Sequence, residues 1–136
     1  MEEKLTRISY EGNFRTAIRY QDQVIYTDAV KEYGALGESL TPAELLPAAV
    51  ASCTMTTIAM KATKMGLSVD GFYIEISKEF SDHFSLASMT FTCHMPAAFP
   101  EEHRASFELA GEKYCIVGRS VDPAIEQKFI YLYDVK

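Results

Sequence analysis

The sequence predicts an α+β fold, and three observations carry that reading. Short alternating strand patterns stand at both ends of the chain, at 5–28 and 128–135. Between them, Thr41-Pro42-Ala43-Glu44 announces one long apolar helix. A hairpin pattern and a second, amphipathic helix follow it. Strands, helix, hairpin, helix, strand is the element order of an α+β sandwich.

Residues 5–28 read as a β-meander, with LTRISY, FRTAIRY and QVIYTD punctuated by Glu11-Gly12-Asn13 and by Gln21-Asp22. Residues 29–40, with Gly34 and Gly37, read as a loop. Thr41 is then placed to cap the first free N–H groups, Pro42 suits the first helical position, and Glu44 completes a capping box. Lys61 and Lys64 fall in the last turn and Gly66 just beyond it, as cations and a left-handed cap close a helix. Leu45, Leu46, Ala49, Val50, Cys53, Ile58, Ala62 and Met65 occupy more than one stripe, so this helix is expected to be buried on most sides. Pro47 removes one intrahelical hydrogen bond near its start.

Residues 71–80 alternate as a strand with Phe72, Ile74 and Ile76 on one face. SDHFS turns the chain, and 86–95 returns as the hairpin partner. Pro100-Glu101-Glu102 opens the second helix, expected to run to about Cys115 and to carry Phe107 and Leu109 inward. KFIYLYDV closes the chain as an aromatic and β-branched strand.

The bulk numbers narrow the function classes. At 136 residues, without repeat, low-complexity tract or linker, the chain reads as a single domain over 1–136. A net charge of -6 argues against a nucleic-acid partner, which needs a concentrated basic face. The longest apolar stretch, broken by Pro47 and closed by Lys61 and Lys64, is expected to fall short of the ~20 residues that a membrane span needs. The opening MEEKLTR has no apolar signal region, which gives a cytoplasmic expectation. Three cysteines are an odd count, unlike a secreted disulfide framework.

Each cysteine carries its own balance of readings. Cys93 is in phase with Met89, Phe91 and Met95 and reads as packing. A zinc site from Cys93, His94 and His103 is disfavoured, because adjacent strand residues point to opposite faces. Cys53 and Cys115 stay open between core thiol and reactive thiol. Cys53 sits some three turns into its helix, too deep for that helix's own dipole, which fades within the first turn. A working thiolate there requires another positive group. Arg15 and Arg19 share one strand face on either side of Ala17 and are the candidates. Two packed helices could also bring Cys53 and Cys115 together.

The helix opening T-P-x-E-L-L, A-A-x-A-S-C at 48–53 and E-K-Y-C-x-V at 112–117 together resemble the OsmC/Ohr family of thiol peroxidases, over essentially the whole chain. The resemblance implies an OsmC-like fold in an intertwined homodimer, with two sites at its interface. It implies that Cys53 is the peroxidatic nucleophile and Cys115 the resolving thiol, reducing organic hydroperoxides. An arginine matching Arg15 or Arg19, and a glutamate early in the long helix, would hold thiolate and peroxide. No cofactor is implied beyond an external dithiol reductant; some members use dihydrolipoyl groups. The family glutamate directly follows the proline, where this chain has Ala43, with Glu44 one residue later. The proline often found after the second cysteine is Ile116 here. The second reading is a non-catalytic OsmC-like dimer binding a small apolar or thiol-reactive ligand, with Met55, Met60 and Met65 as an adaptable lining.

Overall fold

The computed structural model describes residues 3–136. The chain falls into two compact units, the first ending at Leu46 and the second spanning Pro47–Lys136.

In the first unit, β1 (Thr6–Gly12), β2 (Arg15–Tyr20) and β3 (Gln23–Thr27) form an antiparallel meander in the order β1-β2-β3. The two turns fall where the sequence places them. Gly12, Asn13 and Phe14 carry the first at positive φ, and Gln21 begins the second. The register aligns Ile8, Ile18 and Ile25 across the three strands. Side chains alternate faces along a strand, so Arg15, Ala17 and Arg19 share the opposite one. Ile8 and Ile25 are 65% and 52% exposed, so the isoleucine face of this sheet is not sealed within the chain. The 29–40 segment contains one short 3-10 turn, Lys31–Tyr33, and Leu40 bridges back to Thr27.

Helix α1 (Pro42–Lys64) starts at the expected signal, with a modified cap. Glu44 reaches back to accept from the Thr41 N–H at 3.2 Å, which is half of a capping box. The Thr41 hydroxyl, however, donates to the same carboxylate at 3.1 Å. The carboxylate, the stronger acceptor, takes the hydroxyl proton. The helix passes through Pro47 without ending. It closes as a Schellman motif, with Leu67 N–H on the Ala62 carbonyl at 2.9 Å, Gly66 N–H on Thr63 at 3.2 Å, and Gly66 at φ +70.

The second unit packs α1 on a three-stranded sheet of β4 (Tyr73–Phe80), β5 (Leu86–Pro96) and β6 (Glu126–Val135), ordered β4-β5-β6. β5 pairs antiparallel with β4 and parallel with β6. A parallel neighbour requires a crossover. Here it carries α2 (Glu101–Lys113) and the single turn α3 (Ile116–Arg119). Met89, Phe91, Cys93 and Met95 form the buried phase of β5, each 0% exposed. One cluster joins Val50, Ala51, Met89, Phe91, Cys93 and Cys115; a second joins Ile58, Ala62, Met95, Phe99 and Phe107. Burial of a residue such as Phe91 stabilises by roughly 1.5–3 kcal/mol.

Three expectations are corrected. α1 buries a single stripe of Pro47, Val50, Ala51, Thr54, Ile58 and Ala62 rather than most sides, while Met60 and Met65 stay exposed. One sheet covers one side of a helix. At 23 residues α1 also has the length and composition of a membrane-crossing helix, contrary to the expected short stretch, yet its stripe makes it the core helix of this unit. Leu109 is 61% exposed, because two residues turn a helix by about 200° and Phe107 holds the inward face. Ile76, in the inward phase of the edge strand β4, is also left exposed.

On the other face of the sheet, His94 ties its three strands together. Its Nε2 lies 2.8 Å from Glu75 on β4 and its Nδ1 3.0 Å from Asp134 on β6, with the Tyr73 ring stacked at 4.4 Å. Asp134 first, then Glu75, raise its pKa, because only the imidazolium can donate from both nitrogens. A raised folded pKa contributes stability that is fully present below the ordinary value of about 6.5 and is lost as pH rises through the folded value. The stability gap between wild type and His94→Gln, from urea midpoints, should be widest near pH 5.5 and should shrink toward pH 8.5, to about zero as the imidazolium disappears. A constant gap would mean a neutral histidine.

Candidate functional site

Helix α1 presents Cys53, half-buried, one residue before the buried Thr54. α2 approaches α1 closely at Gly111, where a Cβ would stand 2.8 Å from Ile58 Cδ1 and 3.1 Å from Thr54 Cγ2. α2 ends at Lys113, and Tyr114 caps it with its N–H on the Ala110 carbonyl. Cys115 is therefore not the end of the second helix, as the sequence suggested. Its backbone is extended and it is the N-cap of α3. The Cys115 sulfur accepts from the Gly118 N–H at 3.2 Å and its thiol donates to the Val50 carbonyl at 3.7 Å. That second bond brings Cys115 onto the turn of α1 that precedes Cys53.

The same turn faces Cys53. The Val117 N–H, which faces the Cys53 sulfur, is the largest cause that holds this thiol below its ordinary pKa. Burial opposes it, while Cys115 and the Ile116 N–H add to the lowering; the Thr57 hydroxyl donates to the Cys53 carbonyl at 2.9 Å. Hydrogen bonds to the charged form favour that form. Within this unit, backbone N–H groups of the turn thus lower the Cys53 pKa. Cys115 moves the other way: burial first raises its pKa, opposed by the Gly118 N–H. One sulfur is accessible with its pKa lowered; the other is buried with its pKa raised.

Cys93 has the opposite setting. It is fully buried, and burial, then Glu112 and Glu108, push its pKa up to about 12. Its neighbour His94 lies on the outer face, so the two do not converge, and among the described residues no group of three or more His, Cys, Asp or Glu side chains could hold a metal ion.

Arg15, Arg19 and Glu44 belong to the first unit. Arg15 is anchored to the loop before α1: its Nη2 donates to Ser39 at 3.0 Å, its Nη1 lies 3.6 Å from Glu38, and its Nε is 3.9 Å from Asp28. Its guanidinium also lies over the Tyr26 ring at 4.9 Å. Asp28 is buried, and its Oδ2 accepts from the Glu38 and Ser39 N–H groups at 2.9 and 3.0 Å. Arg19 donates to Ser9 on β1 at 2.8 Å and lies 3.4 Å from Glu11. Glu44 closes the helix start on Thr41, as described above.

Several contributing residues leave little trace in the sequence. Ile116, Val117 and Gly118 act through main-chain N–H groups, which have no residue-type signature. Gln127, on β6, donates to the Gly118 carbonyl at 2.9 Å and falls one residue before the strand expected at 128–135. Asp28 did carry a signal: an acidic residue in phase with no exposed face, just before a glycine-containing loop.

The OsmC-like protein family pattern matches residues 35–129 of this chain. Among solved structures, a protein of Psychrobacter arcticus 273-4 assigned to the osmotic stress induced and detoxification response superposes with a TM-score of 0.89 at 24% identity, covering 97% of this chain and 98% of that one. The organic hydroperoxide resistance protein OsmC of Legionella pneumophila gives 0.70 at 13% identity, covering 96% and 97%. The organic hydroperoxide resistance protein OhrB of Bacillus subtilis gives 0.68 at 15%, covering 94% and 98%. No curated protein matches the chain. At these identities the superpositions establish the fold.

The thiol pair makes a measurable statement. Native protein labelled with iodoacetamide across a pH series, and read peptide by peptide, should show Cys53 reacting first, with a midpoint below the ordinary value of about 8.5. Cys115 should lag and Cys93 should stay unlabelled until unfolding. A Cys53 rate still climbing through pH ~9 would remove the activated-thiol description.

Proposed function

Because the chain belongs to the OsmC-like protein family, we propose that it is a cysteine-based peroxidase that reduces organic hydroperoxides through Cys53 and Cys115. One observation carries the reading: half-buried Cys53 on α1 faces the turn capped by buried Cys115, whose thiol lies on the Val50 carbonyl one turn before Cys53. Members of the fold named for organic hydroperoxide resistance lend it support.

The chemistry follows from the two thiol states. The Cys53 thiolate attacks the terminal oxygen of ROOH; the O–O bond breaks, Cys53 becomes a sulfenic acid, and RO⁻ leaves as the alcohol after taking a proton. The Cys115 sulfur then attacks the sulfenic sulfur, forming the disulfide and releasing water. An external dithiol reduces that disulfide, giving back both thiols and becoming a disulfide itself. The lower pKa and greater access of Cys53 support its role as attacker, since the thiolate is the nucleophile. The donation from Cys115 to the Val50 carbonyl supports its holding a proton until called on.

Of the two arginines, we assign Arg15 to the thiolate and peroxide. Its anchorage by Ser39, Glu38 and Asp28 fixes a guanidinium at the loop before α1, whereas Arg19 is engaged with its neighbouring strand. Glu44 is assigned to the helix start. The working form is a homodimer in this reading. The exposed isoleucines of β1 and β3, and an open apolar groove on α1 lined by Met55, Ala59 and Met60, support it.

With cumene hydroperoxide and a dithiol reductant, purified protein should consume peroxide, and Cys53→Ser should abolish it. Arg15→Ala should lower kcat/KM by about tenfold or more, Arg19→Ala by no more than about twofold. Cys115→Ser should keep the first oxidation but accumulate over-oxidised Cys53. Peroxide consumption that survives loss of Cys53 would end the proposal. Light scattering should give twice the 15.2 kDa chain mass, and a monomer at micromolar concentration would remove the dimer.

A further inference from the structure

The turn that holds the two sulfurs is itself held from β6. Gln127, directly across from Met89 in the parallel register, sends its side chain to this turn, and its Nε2 donates to the Gly118 carbonyl at 2.9 Å. The fit is close. A Cβ on Gly118 would stand 3.1 Å from Gln127 Oε1 and 3.3 Å from the Cys115 sulfur. The Gly118 N–H, at the other end of that residue, donates to the Cys115 sulfur at 3.2 Å. Gly118 thus sits between a side-chain amide on one side and a thiol on the other. The other bonds on the turn are local: Arg119 N–H to the Cys115 carbonyl, Ser120 N–H to Val117, the Ser120 hydroxyl to Ile116, and a long 3.4 Å bond from Val121 N–H to Gly118. They define its shape. Against α1 the turn is tied by the Cys115 thiol on the Val50 carbonyl at 3.7 Å and by Val117, packed on the core cluster, and from the sheet it is tied by Gln127.

We infer that Gln127 is a positioning residue for the thiol pair, fixing the Ile116–Arg119 turn from β6 so that its N–H groups face Cys53 and Cys115. This rests on the reading of those cysteines as the working pair. The thiol contact and the packing of Val117 seat the turn on α1, and the Gln127 amide on the Gly118 carbonyl adds a tie from β6 that sets its orientation. Main-chain N–H groups stabilise a thiolate only while they stay within hydrogen-bond reach, and such bonds weaken steeply with misalignment. The contribution of Val117 and Ile116 to lowering the Cys53 pKa therefore depends on a bond made to the neighbouring Gly118 rather than to either sulfur.

The test uses Gln127→Met and Gln127→Ala in the full chain, with no peroxide present. Met keeps the length and the packing but removes the amide donor; Ala removes both. The readout is the pH midpoint of Cys53 alkylation, with the Cys115 labelling rate and the urea midpoint measured in parallel. Both variants should raise the Cys53 midpoint by about half a pH unit or more, and both should speed Cys115 labelling at least about threefold as the turn loosens. If Gln127 only packs, Met will match wild type while Ala alone shifts. That result overturns the inference, as does a lower urea midpoint in both variants with an unmoved Cys53 midpoint. The wild-type peroxide assay decides the peroxidase reading separately, so the alkylation midpoints still decide the role of Gln127 in a protein without turnover.

Discussion

The close approach of α2 to α1 at Gly111 is the constraint on which the second unit depends. A glycine inside a helix costs about 1 kcal/mol relative to alanine, and here the space it leaves is filled by Ile58 and Thr54. Four residues later the chain reaches Cys115, whose thiol lands on the Val50 carbonyl. A Cβ at 111 would meet Ile58 Cδ1 at 2.8 Å and Thr54 Cγ2 at 3.1 Å, so those side chains or α2 itself would have to shift. The missing Cβ is what lets the two helices meet this closely ahead of the thiol contact.

Ending α2 early has a chemical effect as well as a geometric one. Had the helix continued through residue 115, the N–H groups of 116–118 would have been spent on carbonyls within the helix. By leaving helical geometry at Cys115 and restarting at Ile116, the chain frees those donors at the start of a new turn. Two sulfurs take them. Gly118 donates to the Cys115 sulfur, while Val117 and Ile116 face Cys53 and lower its pKa. Equivalent donors thus act on two thiols of different burial, and burial separates their behaviour: desolvation dominates at Cys115 and is outweighed at Cys53. The contrast with Cys93, which is buried near two carboxylates, shows what the fold does to a thiol given no donors.

Much of this fold could be read directly from residue types. Thr41-Pro42 and Gly66 marked both ends of α1, because caps are made by particular side chains and particular backbone conformations. The β5 phase of Met89, Phe91, Cys93 and Met95 followed from a period of two. Errors arose where a second element decides the answer. Whether α1 buries one stripe or several depends on how many layers cover it, and the sequence of the helix does not say. Leu109 looked like a core residue by composition, but Phe107, Ala110 and Gly111 set the inward face.

The candidate site divides along the same line. Cysteines are visible in a sequence, and so is the strand face shared by Arg15 and Arg19. What distinguishes the two arginines is the loop that comes back to Arg15 with Glu38 and Ser39, ordered by Asp28 through its two N–H contacts. What tunes the cysteines is a set of main-chain N–H groups, identical at every non-proline position and therefore silent until the fold aims them. The family pattern that often has proline after the second cysteine makes the point physically. Proline has no N–H, whereas Ile116 in this chain contributes one to Cys53. The departure from that pattern leaves a main-chain N–H at the start of the turn, and that group helps to lower the Cys53 pKa.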